Sequence, residues 1–334
     1  MGNDVMNHKT INLKLADIKD PLPERILNRF RKEAFEGVTF YPLNYDTLIS
    51  ILAKKHNIKN ENIVLINGVD EGIELISRVF GKDILFFTPS YYEFRDAPER
   101  NDLKYETINC FDGKDYNLKY NDEDVKDRSL IFLCNPNNPF GLLSKEEIIK
   151  FAKKTKGIVA VDETYIDFDG ETVASEFKST PNILVLRSFS KGYSLAGLRI
   201  GYIVGDKLVV DNINKIRLIC NVTSVSIAAA KIVLEEEKYF KELVNKIKKR
   251  KDNFEDLLKN KGFNIIHTHT NNIMIKFDNK SDADKFFNFL KENNVIVNQG
   301  DGLSTYGLDD TFIRFACGTE EQMKEVAKVV EKWK

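Results

Sequence analysis

The sequence predicts an α/β fold, with a doubly wound, mainly parallel sheet in a large domain and a small α+β domain beside it. Short apolar runs rich in Val and Ile alternate with amphipathic helical segments over the first two thirds of the chain. This is the pattern of buried parallel strands joined by helices. After about Asp206 the chain becomes highly charged and mostly helical. We expect residues 38–235 to form the large domain, and residues 1–37 and 236–334 to form an N-terminal arm and the small C-terminal domain.

Composition excludes several classes of protein. The 334 residues are 42% hydrophobic and 30% charged, which suits a globular protein with a sizeable core. The net charge of −1 gives no electrostatic reason to expect nucleic acid or an anionic membrane as a partner. Residues 1–4 are polar, and no apolar run approaches the ~20 residues of a membrane span.

The cysteines and histidines complete this picture. The four cysteines form no Cys-x-x-Cys pair, which is typical of reduced thiols in a cytoplasmic protein; they are Cys110, Cys134, Cys220 and Cys317. His267 and His269 would share one face of a strand, but no third ligand follows nearby, so no metal site is expected.

The elements of the large domain follow from local pattern. Pro23 opens the first helix, Asp46 is placed to cap the second, and Ser144 with Glu147 forms a capping box before the fourth. The predicted helices are 23–35, 47–56, 71–80 and 145–154, and the predicted strands are 63–66, 84–87, 130–133, 158–161, 183–186 and 200–204.

The small domain has a different character. A helical zone at 228–258 contains the basic run 246–251, which acidic residues bracket, so a solvated helix face is favoured over a nucleic-acid patch. The remaining predicted elements are strands 272–277, 295–298 and 312–316 and helices 281–293 and 320–333.

One stretch, residues 188–201, carries the chemistry. It follows the buried strand 183–186 and places Lys191 directly after two hydroxyls, Ser188 and Ser190, with Arg199 eight residues further on. A partly desolvated lysine beside another cation has a lowered pKa and attacks carbonyls as a free amine. The two serines and the arginine can bind a phosphate. An amine for an aldehyde and donors for a phosphate are what pyridoxal phosphate requires, although the stretch alone also fits an ordinary surface loop.

Two further motifs fall at strand ends, where open α/β sheets bind ligands. Gly68-Val69-Asp70 lies between a strand and a helix N-terminus, which favours a phosphate. We expect the backbone amides of Val69 and Asp70 to bind it, with the carboxylates of Asp70 and Glu71 turned away. Asp162 ends strand 158–161. An ordinary strand–helix turn and an ordinary turn aspartate are the alternatives.

Together with Asn-Pro-Asn-Asn-Pro at 135–139, Asp162-Glu163-Thr164-Tyr165 and the segment 68–75, this stretch resembles the fold-type I, pyridoxal-phosphate-dependent aminotransferases. Within them the chain is most similar to the histidinol-phosphate aminotransferase family, from about Tyr41 to Thr319. The resemblance implies transamination between an amino-acid donor, glutamate or alanine, and a phosphorylated keto compound.

The resemblance also implies roles around the cofactor ring. Lys191 would hold pyridoxal phosphate as a Schiff base and move the substrate's proton. Asp162 would keep the ring nitrogen protonated, and Tyr165 and Asn138 would contact the phenolic oxygen. Tyr91 would stack on the ring, with its neighbour Tyr92 as the alternative.

Further implied contacts concern phosphate, substrate and partner subunit. Ser188, Ser190 and Arg199 would bind the cofactor phosphate, and Arg314 would bind a substrate carboxylate or other anion, with a structural salt bridge as the alternative. Tyr41 would cross a homodimer interface to the partner's cofactor phosphate.

Three departures from the family leave the substrate open. The usual Asn-Glu-Asn-Pro-Tyr-Gly segment is absent, and Leu22 in Lys19-Asp20-Pro21-Leu22 stands near its tyrosine. Phe140 replaces a threonine, and Asn298 replaces an arginine that touches substrate. A smaller phospho-ketone such as dihydroxyacetone phosphate, giving serinol phosphate, is therefore an alternative acceptor. Decarboxylation of a phosphorylated amino acid is an alternative reaction, and a catalytically silent regulatory protein is a third reading, against which Lys191 and Asp162 together argue.

Overall fold

Residues 10–42, 45–113, 115–302 and 304–333 are described by the computed structural model; residues 1–9, with the polar start of the chain and His8, lie outside them. The strands run in chain order as β1 Ile11–Asn12, β2 Ile63–Ile66, β3 Ile84–Thr88, β4 Tyr105–Asn109, β5 Leu130–Cys134, β6 Ile158–Asp162, β7 Ile183–Ser188, β8 Gly201–Val204, β9 Ile265–Ile266, β10 Asn272–Lys276, β11 Val295–Ile296, β12 Asn298–Gln299 and β13 Phe312–Ala316. The helices are α1 Glu24–Arg29, α2 Asp46–His56, α3 Gly68–Phe80, α4 Glu93–Arg100, α5 Asp122–Val125, α6 Lys145–Ala152, α7 Lys207–Asn214, α8 Ser224–Glu235, α9 Glu237–Asn260, α10 Lys280–Glu292 and α11 Glu320–Glu331.

The central sheet has the strand order β2-β8-β7-β6-β5-β3-β4. β8 is antiparallel to both of its neighbours, and the remaining pairs are parallel. Strands β2, β3, β5, β7 and β8 are buried along their whole length, because helices cover both faces of the sheet. The predicted α/β class and the mainly parallel sheet are confirmed.

Each face of this sheet has its own core. On one face Ile73 and Ile76 of α3 pack with Phe86 of β3 and Ile203 of β8. The other core contains Leu65 of β2 and Val185 of β7 and continues into the small domain. The carboxyl ends of the parallel strands are thereby fixed relative to one another, which positions the loops that follow them.

The small domain is built on the antiparallel sheet β12-β13-β10-β9. The arm joins it: β1 pairs in parallel with β11, and the amide of Ala316 donates to the carbonyl of Leu13 at 2.9 Å. The arm therefore packs on the small domain through residues 11–13. Helix α1 and the turns that follow it contact α8 instead. The boundaries 38–235 and 236–334 stay predictions.

Several elements differ from those predicted. Helix 23–35 is α-helical only to Arg29 and continues as a wider π turn, Phe30–Ala34. Asp46 is not the cap of α2 but its first residue, where its charge meets the positive end of the helix dipole. The capping box is confirmed, since the Glu147 amide donates to Ser144 Oγ at 3.2 Å and the Ser144 amide donates to the Glu147 carboxylate at 2.7 Å.

The basic run on α9 is only partly a solvated face. Lys251 is buried and pairs with buried Glu255 at 3.3 Å, and Arg250 binds Asp20 of the arm at 2.7 Å. Arg250 therefore joins the arm to the small domain, whereas Lys251 is paired within its own helix. The part of the chain that the structure describes has no group of three or more His, Cys, Asp and Glu side chains that could hold a metal ion. Across that same part, no helix combines the length and the apolarity that crossing a membrane requires.

Candidate active site

A pocket of about 270 Å³ opens beyond the carboxyl ends of β5, β6 and β7. It brings together most of the residues predicted to bind cofactor, although they come from five separate segments of the sequence. Its lining consists of Leu15, Ala16, Asp17, Val69, Asp70, Tyr91, Tyr92, Cys134, Asn138, Asp162, Thr164, Tyr165, Ser188, Ser190, Lys191, Ala196, Arg199 and Ser304.

Lys191 lies in the pocket just after β7, with its amine deep in the protein. Nζ donates to the Ala16 carbonyl at 2.8 Å and lies 5.5 Å from the centre of the Tyr165 ring. Burial is the main cause that lowers the pKa of Lys191 to about 8; the charge of Asp17 opposes the shift and that of Arg314 contributes to it. The amine is therefore neutral in a much larger fraction of molecules than a surface lysine, as a nucleophile requires.

Asp162 is the last residue of β6 and is almost fully buried. One of its oxygens accepts a hydrogen bond from the Thr164 amide at 2.8 Å. Burial raises the pKa of Asp162 to about 6, although the bonds from Thr164 favour the ionised form. No cation is hydrogen-bonded to this carboxylate among the described residues, so it is available to a protonated group of a ligand.

Tyr165 and Asn138 lie at the side of the pocket. Burial raises the pKa of the Tyr165 hydroxyl, and the charge of Arg314 and a hydrogen bond from Asn272 oppose this shift. Asn138 donates through Nδ2 to the Ser304 carbonyl at 2.9 Å, and its Oδ1 is buried without a partner. An unpartnered buried amide oxygen at this place indicates that a ligand completes the site.

The phosphate donors converge at the N-terminus of α3. Ser188 and Ser190 are both buried, and the Ser190 amide donates to Ser188 Oγ at 3.0 Å. Gly68 opens α3 with a φ of +77°, and a Cβ there would lie 2.5 Å from Nη2 of Arg199. Glycine is therefore required where the helix N-terminus meets the guanidinium.

The prediction that Asp70 turns away from this cradle is wrong. Its carboxylate lies in the pocket and accepts hydrogen bonds from Tyr91 and from Nη2 of Arg199, both at 2.7 Å. The left-handed backbone of Arg199, with a φ of 47°, brings the guanidinium to this carboxylate, and opposite charges then pair. Glu71 does turn back onto the helix start, where it accepts from the Asn67 amide.

Tyr91 and Tyr92 both line the pocket, with ring centres 4.9 Å apart and planes at 63°. Burial raises the pKa of the Tyr91 hydroxyl, and the charge of Asp70 adds to this effect. Tyr91 is held by Asp70 and by edge-to-face contact with Phe94 at 6.2 Å. Tyr91 is therefore a rigidly held wall of the pocket, and its contact with the cofactor ring stays a prediction.

Arg314 lies behind the pocket on β13 and is 1% exposed. Nη1 donates to Oδ1 of Asn272 at 3.2 Å, whereas Nε and Nη2 are buried without partners. Burial lowers the pKa of Arg314 to about 10, so the group is still charged at neutral pH. No salt bridge to Arg314 is present among the described residues, which leaves the predicted anion site as the better explanation.

Two predicted substrate contacts lie elsewhere. Leu22 does not line the pocket but packs on the main core, because an earlier part of the arm, residues 15–17, is the part that reaches the pocket. Asn298 is buried and donates to the Lys14 carbonyl at 2.7 Å, so it fastens the arm rather than facing the pocket. Residues 15–17 form that wall instead, and the sequence pattern of the arm gave no signal for them.

Tyr41 lies far from these contacts on the protein surface. It is 82% exposed and lines a second, shallower hollow with Phe40 and Cys220. It therefore does not join the pocket of its own chain.

The chemistry of the pocket fits pyridoxal phosphate. It contains an amine of lowered pKa, a buried carboxylate, a tyrosine wall and a cradle of hydroxyls, backbone amides and a guanidinium. Aldehyde, ring nitrogen, ring face and phosphate of the cofactor each have a matching group.

Comparison with known proteins agrees with this fit. The family described as "Aminotransferase class I and II" matches residues 8–330. The histidinol-phosphate aminotransferase of Clostridium botulinum strain Langeland is 30% identical, over 99% of this chain and 95% of its own. That of Flavobacterium johnsoniae is 31% identical, over 87% of this chain and 85% of its own. The chain belongs to the class I and II aminotransferases, the pyridoxal-phosphate-dependent enzymes whose motifs it carries.

Solved structures show the same fold. The histidinol-phosphate aminotransferase of Clostridium acetobutylicum superposes with a TM-score of 0.84 at 24% identity, covering 96% of this chain and 98% of that one. The L-threonine-O-3-phosphate decarboxylase of Porphyromonas gingivalis gives 0.82 at 24% identity, covering 97% and 99%. The fold alone thus occurs with two reaction types.

Proposed function

We propose that this enzyme transfers an amino group from glutamate or alanine to a phosphorylated keto compound. The name of its relatives, histidinol-phosphate aminotransferase, supports a phosphorylated substrate. The single observation that carries the proposal is the pair of unpartnered, buried donors on Arg314, close to Lys191 and Tyr165. A buried guanidinium with free donors is costly unless an anion completes it. Phosphate or carboxylate of the substrate supplies that anion.

The side chains divide the chemistry in this proposal. Pyridoxal phosphate, when bound, supplies an aldehyde for the amino group and a ring that accepts electrons. Lys191 moves the proton between the substrate Cα and the cofactor C4′, which its position and neutral amine suit. Asp162 holds the proton on the ring nitrogen, and Tyr165 with Asn138 contacts the phenolic oxygen.

The remaining predicted residues hold the cofactor. Ser188, Ser190 and Arg199, with the backbone amides of Val69 and Asp70, bind its phosphate at the N-terminus of α3. Asp70 also orients Arg199 and Tyr91 through its two oxygens. Tyr91 lies against the ring.

We further propose a homodimer in which Tyr41 completes the partner's phosphate site. The support is a surface formed by apolar residues, each between 58% and 82% exposed; they are Phe35, Val38, Phe40, Tyr41, Leu218 and Ile219. Ser224 holds this segment by donating to the carbonyls of Gly37 and Phe40. A second copy of the chain is the occupant that would bury this surface.

We also propose a cytoplasmic location, because the four cysteines are unpaired.

The acceptor decides the specific reaction. Asn298 binds the arm and is neutral, so the cation proposed to bind the substrate anion is Arg314, whose Nε and Nη2 are buried without partners. Such a site suits imidazole acetol phosphate, the keto partner of histidinol phosphate, and it equally suits dihydroxyacetone phosphate. Steady-state kcat/KM for both acceptors, with glutamate and with alanine, tests the proposal.

The expected result is turnover of at least one phosphorylated acceptor. Inertness towards every phosphorylated acceptor would refute the substrate class. Release of CO2 from a phosphorylated amino acid without any keto acceptor would replace transamination by decarboxylation.

A further inference from the structure

Asn272 is the hydrogen-bonded partner of Arg314 in the described part of the chain. The antiparallel register explains the contact. Asn272 of β10 lies opposite Ala316 of β13, two residues from Arg314, so the two side chains are diagonal neighbours on one face of the sheet. Because a guanidinium has no acceptor, the atom of the Asn272 amide that faces it is the oxygen.

The amide of Asn272 is itself fixed. It is fully buried, and both its backbone N–H and its Nδ2 donate to Thr270 Oγ1, at 3.1 and 2.9 Å. The Thr268 hydroxyl donates to its carbonyl. The side chain is therefore a rigid support for the guanidinium rather than a mobile neighbour.

The partner of Arg314 is neutral, although a carboxylate of the same shape would bind a guanidinium more strongly. A carboxylate would also cancel the charge of the guanidinium, whose Nε and Nη2 are buried without partners. We propose that Asn272 is a positioning residue that aims the Arg314 guanidinium while leaving its charge free for the anionic group of the substrate. This inference rests on the proposed function, in which Arg314 takes that group.

The substitution Asn272→Asp separates positioning from mere structure. It keeps the size and the acceptor oxygen, and the hydroxyls of Thr270 and Tyr165, which now accept from the Asn272 amide, can rotate to donate to the new carboxylate. If Asn272 only supports the fold, the enzyme should therefore tolerate the substitution. If Asn272 keeps the charge of Arg314 free, substrate binding should weaken, because the new carboxylate would compete with the substrate anion for the guanidinium.

The test uses the holoenzyme and four variants. We would measure KM and kcat for L-histidinol phosphate, calorimetric binding of inorganic phosphate, and Tm. Arg314→Gln and Asn272→Asp should each raise KM and the phosphate Kd by about 30-fold or more, with a smaller change in kcat and a Tm near that of wild type. Asn272→Ala should raise KM and the phosphate Kd by about 3- to 10-fold, because the guanidinium keeps its charge but loses its orientation.

The control Asn28→Asp should change neither quantity. The amide oxygen of Asn28 also accepts a hydrogen bond from an arginine, Arg31, at 2.7 Å, but this pair lies on the surface.

The outcomes are distinct. If Arg314→Gln weakens binding and Asn272→Asp does not, the inference is overturned and the proposed function stands. If Arg314→Gln binds L-histidinol phosphate, inorganic phosphate and the amino-acid donor as wild type does, Arg314 is not the anion site and both are overturned. If Asn272→Asp fails to fold, wild-type affinity in Asn272→Ala overturns the inference.

Discussion

The amine of Lys191 donates a hydrogen bond of 2.8 Å to the backbone carbonyl of Ala16. A residue at the end of the central sheet thus contacts the arm, 175 positions earlier in the sequence. The same carbonyl accepts from Nδ2 of Asn271 at 3.2 Å. The reactive amine, the arm and the small domain therefore meet at one oxygen atom.

The lowered pKa of Lys191 gives a prediction for cofactor loading. Only the neutral amine attacks the aldehyde, and burial brings the pKa to about 8. The rate at which the apoenzyme takes up pyridoxal phosphate, followed by absorbance, should rise with pH with a midpoint near that pKa. Borohydride should then fix the label on Lys191, and Lys191→Ala should bind the cofactor without turnover. A midpoint above pH 10, or a label on another lysine, would contradict this assignment.

Asp162→Asn should separate activity from stability. The pKa of Asp162 is raised to about 6 from its usual 3.8, so the folded apoenzyme binds an extra proton between these values. The contribution of Asp162 to stability is therefore most favourable below pH 4 and is lost as the pH rises through 6. Asparagine has no such cost, and the apo variant should be more stable than wild type above pH 6, by on the order of 1–3 kcal/mol. At pH 4 the two should be equal.

The same variant should lose most of its kcat, because its neutral amide cannot hold the ring proton as charge develops. Urea unfolding at pH 4 and pH 8 and steady-state kinetics measure both effects. Normal kcat with reduced stability at both pH values would show that Asp162 is structural.

Shared active sites predict complementation between two inactive subunits. Lys191→Ala removes the amine and Tyr41→Phe removes the hydroxyl proposed to reach the partner's phosphate. A mixed dimer contains one site with both wild-type residues, so co-refolded subunits should regain part of the activity. Absence of recovery, with subunit exchange proven by differently tagged chains, would exclude sharing.

Phe140 should stabilise the contact between the two domains. Its ring lies 4.9 Å from that of Phe111 and is stacked with that of Phe312 on β13 at 6.2 Å. Phe140→Ala leaves a cavity there and should cost about 3–5 kcal/mol, against roughly 1 kcal/mol for Phe140→Leu. Denaturant unfolding gives both values. Equal values for the two variants would show that the cavity does not form.

The sheet and most of the pocket could be predicted from sequence because both depend on local pattern. Apolar runs marked the buried strands, and residues at the ends of parallel strands such as Asp162 and Ser188 meet by geometry alone. The arm could not be placed in this way. Its position depends on hydrogen bonds to Asn298 and Ala316, which leave no local signature, so Leu22 was predicted where residues 15–17 lie.

The orientation of Asp70 shows a second limit of prediction from the sequence. A carboxylate beside a phosphate cradle is unfavourable by charge alone, so it was expected to turn away. Tertiary packing placed the guanidinium of Arg199 within 2.7 Å, and this pairing outweighs the repulsion. The sequence carries both residues but not the backbone turn that joins them.

The fastening of the arm has a consequence for biosynthesis. The carbonyl of Lys14 is held by Asn298, 284 residues later in the chain. On the ribosome the central sheet can fold as soon as β8 has emerged, but the wall of the pocket beside Lys191 must wait for nearly the whole polypeptide. A nascent chain stalled after β8 should therefore contain the reactive lysine in a folded sheet and still lack an enclosed pocket. Catalysis would then begin only with release of the completed chain.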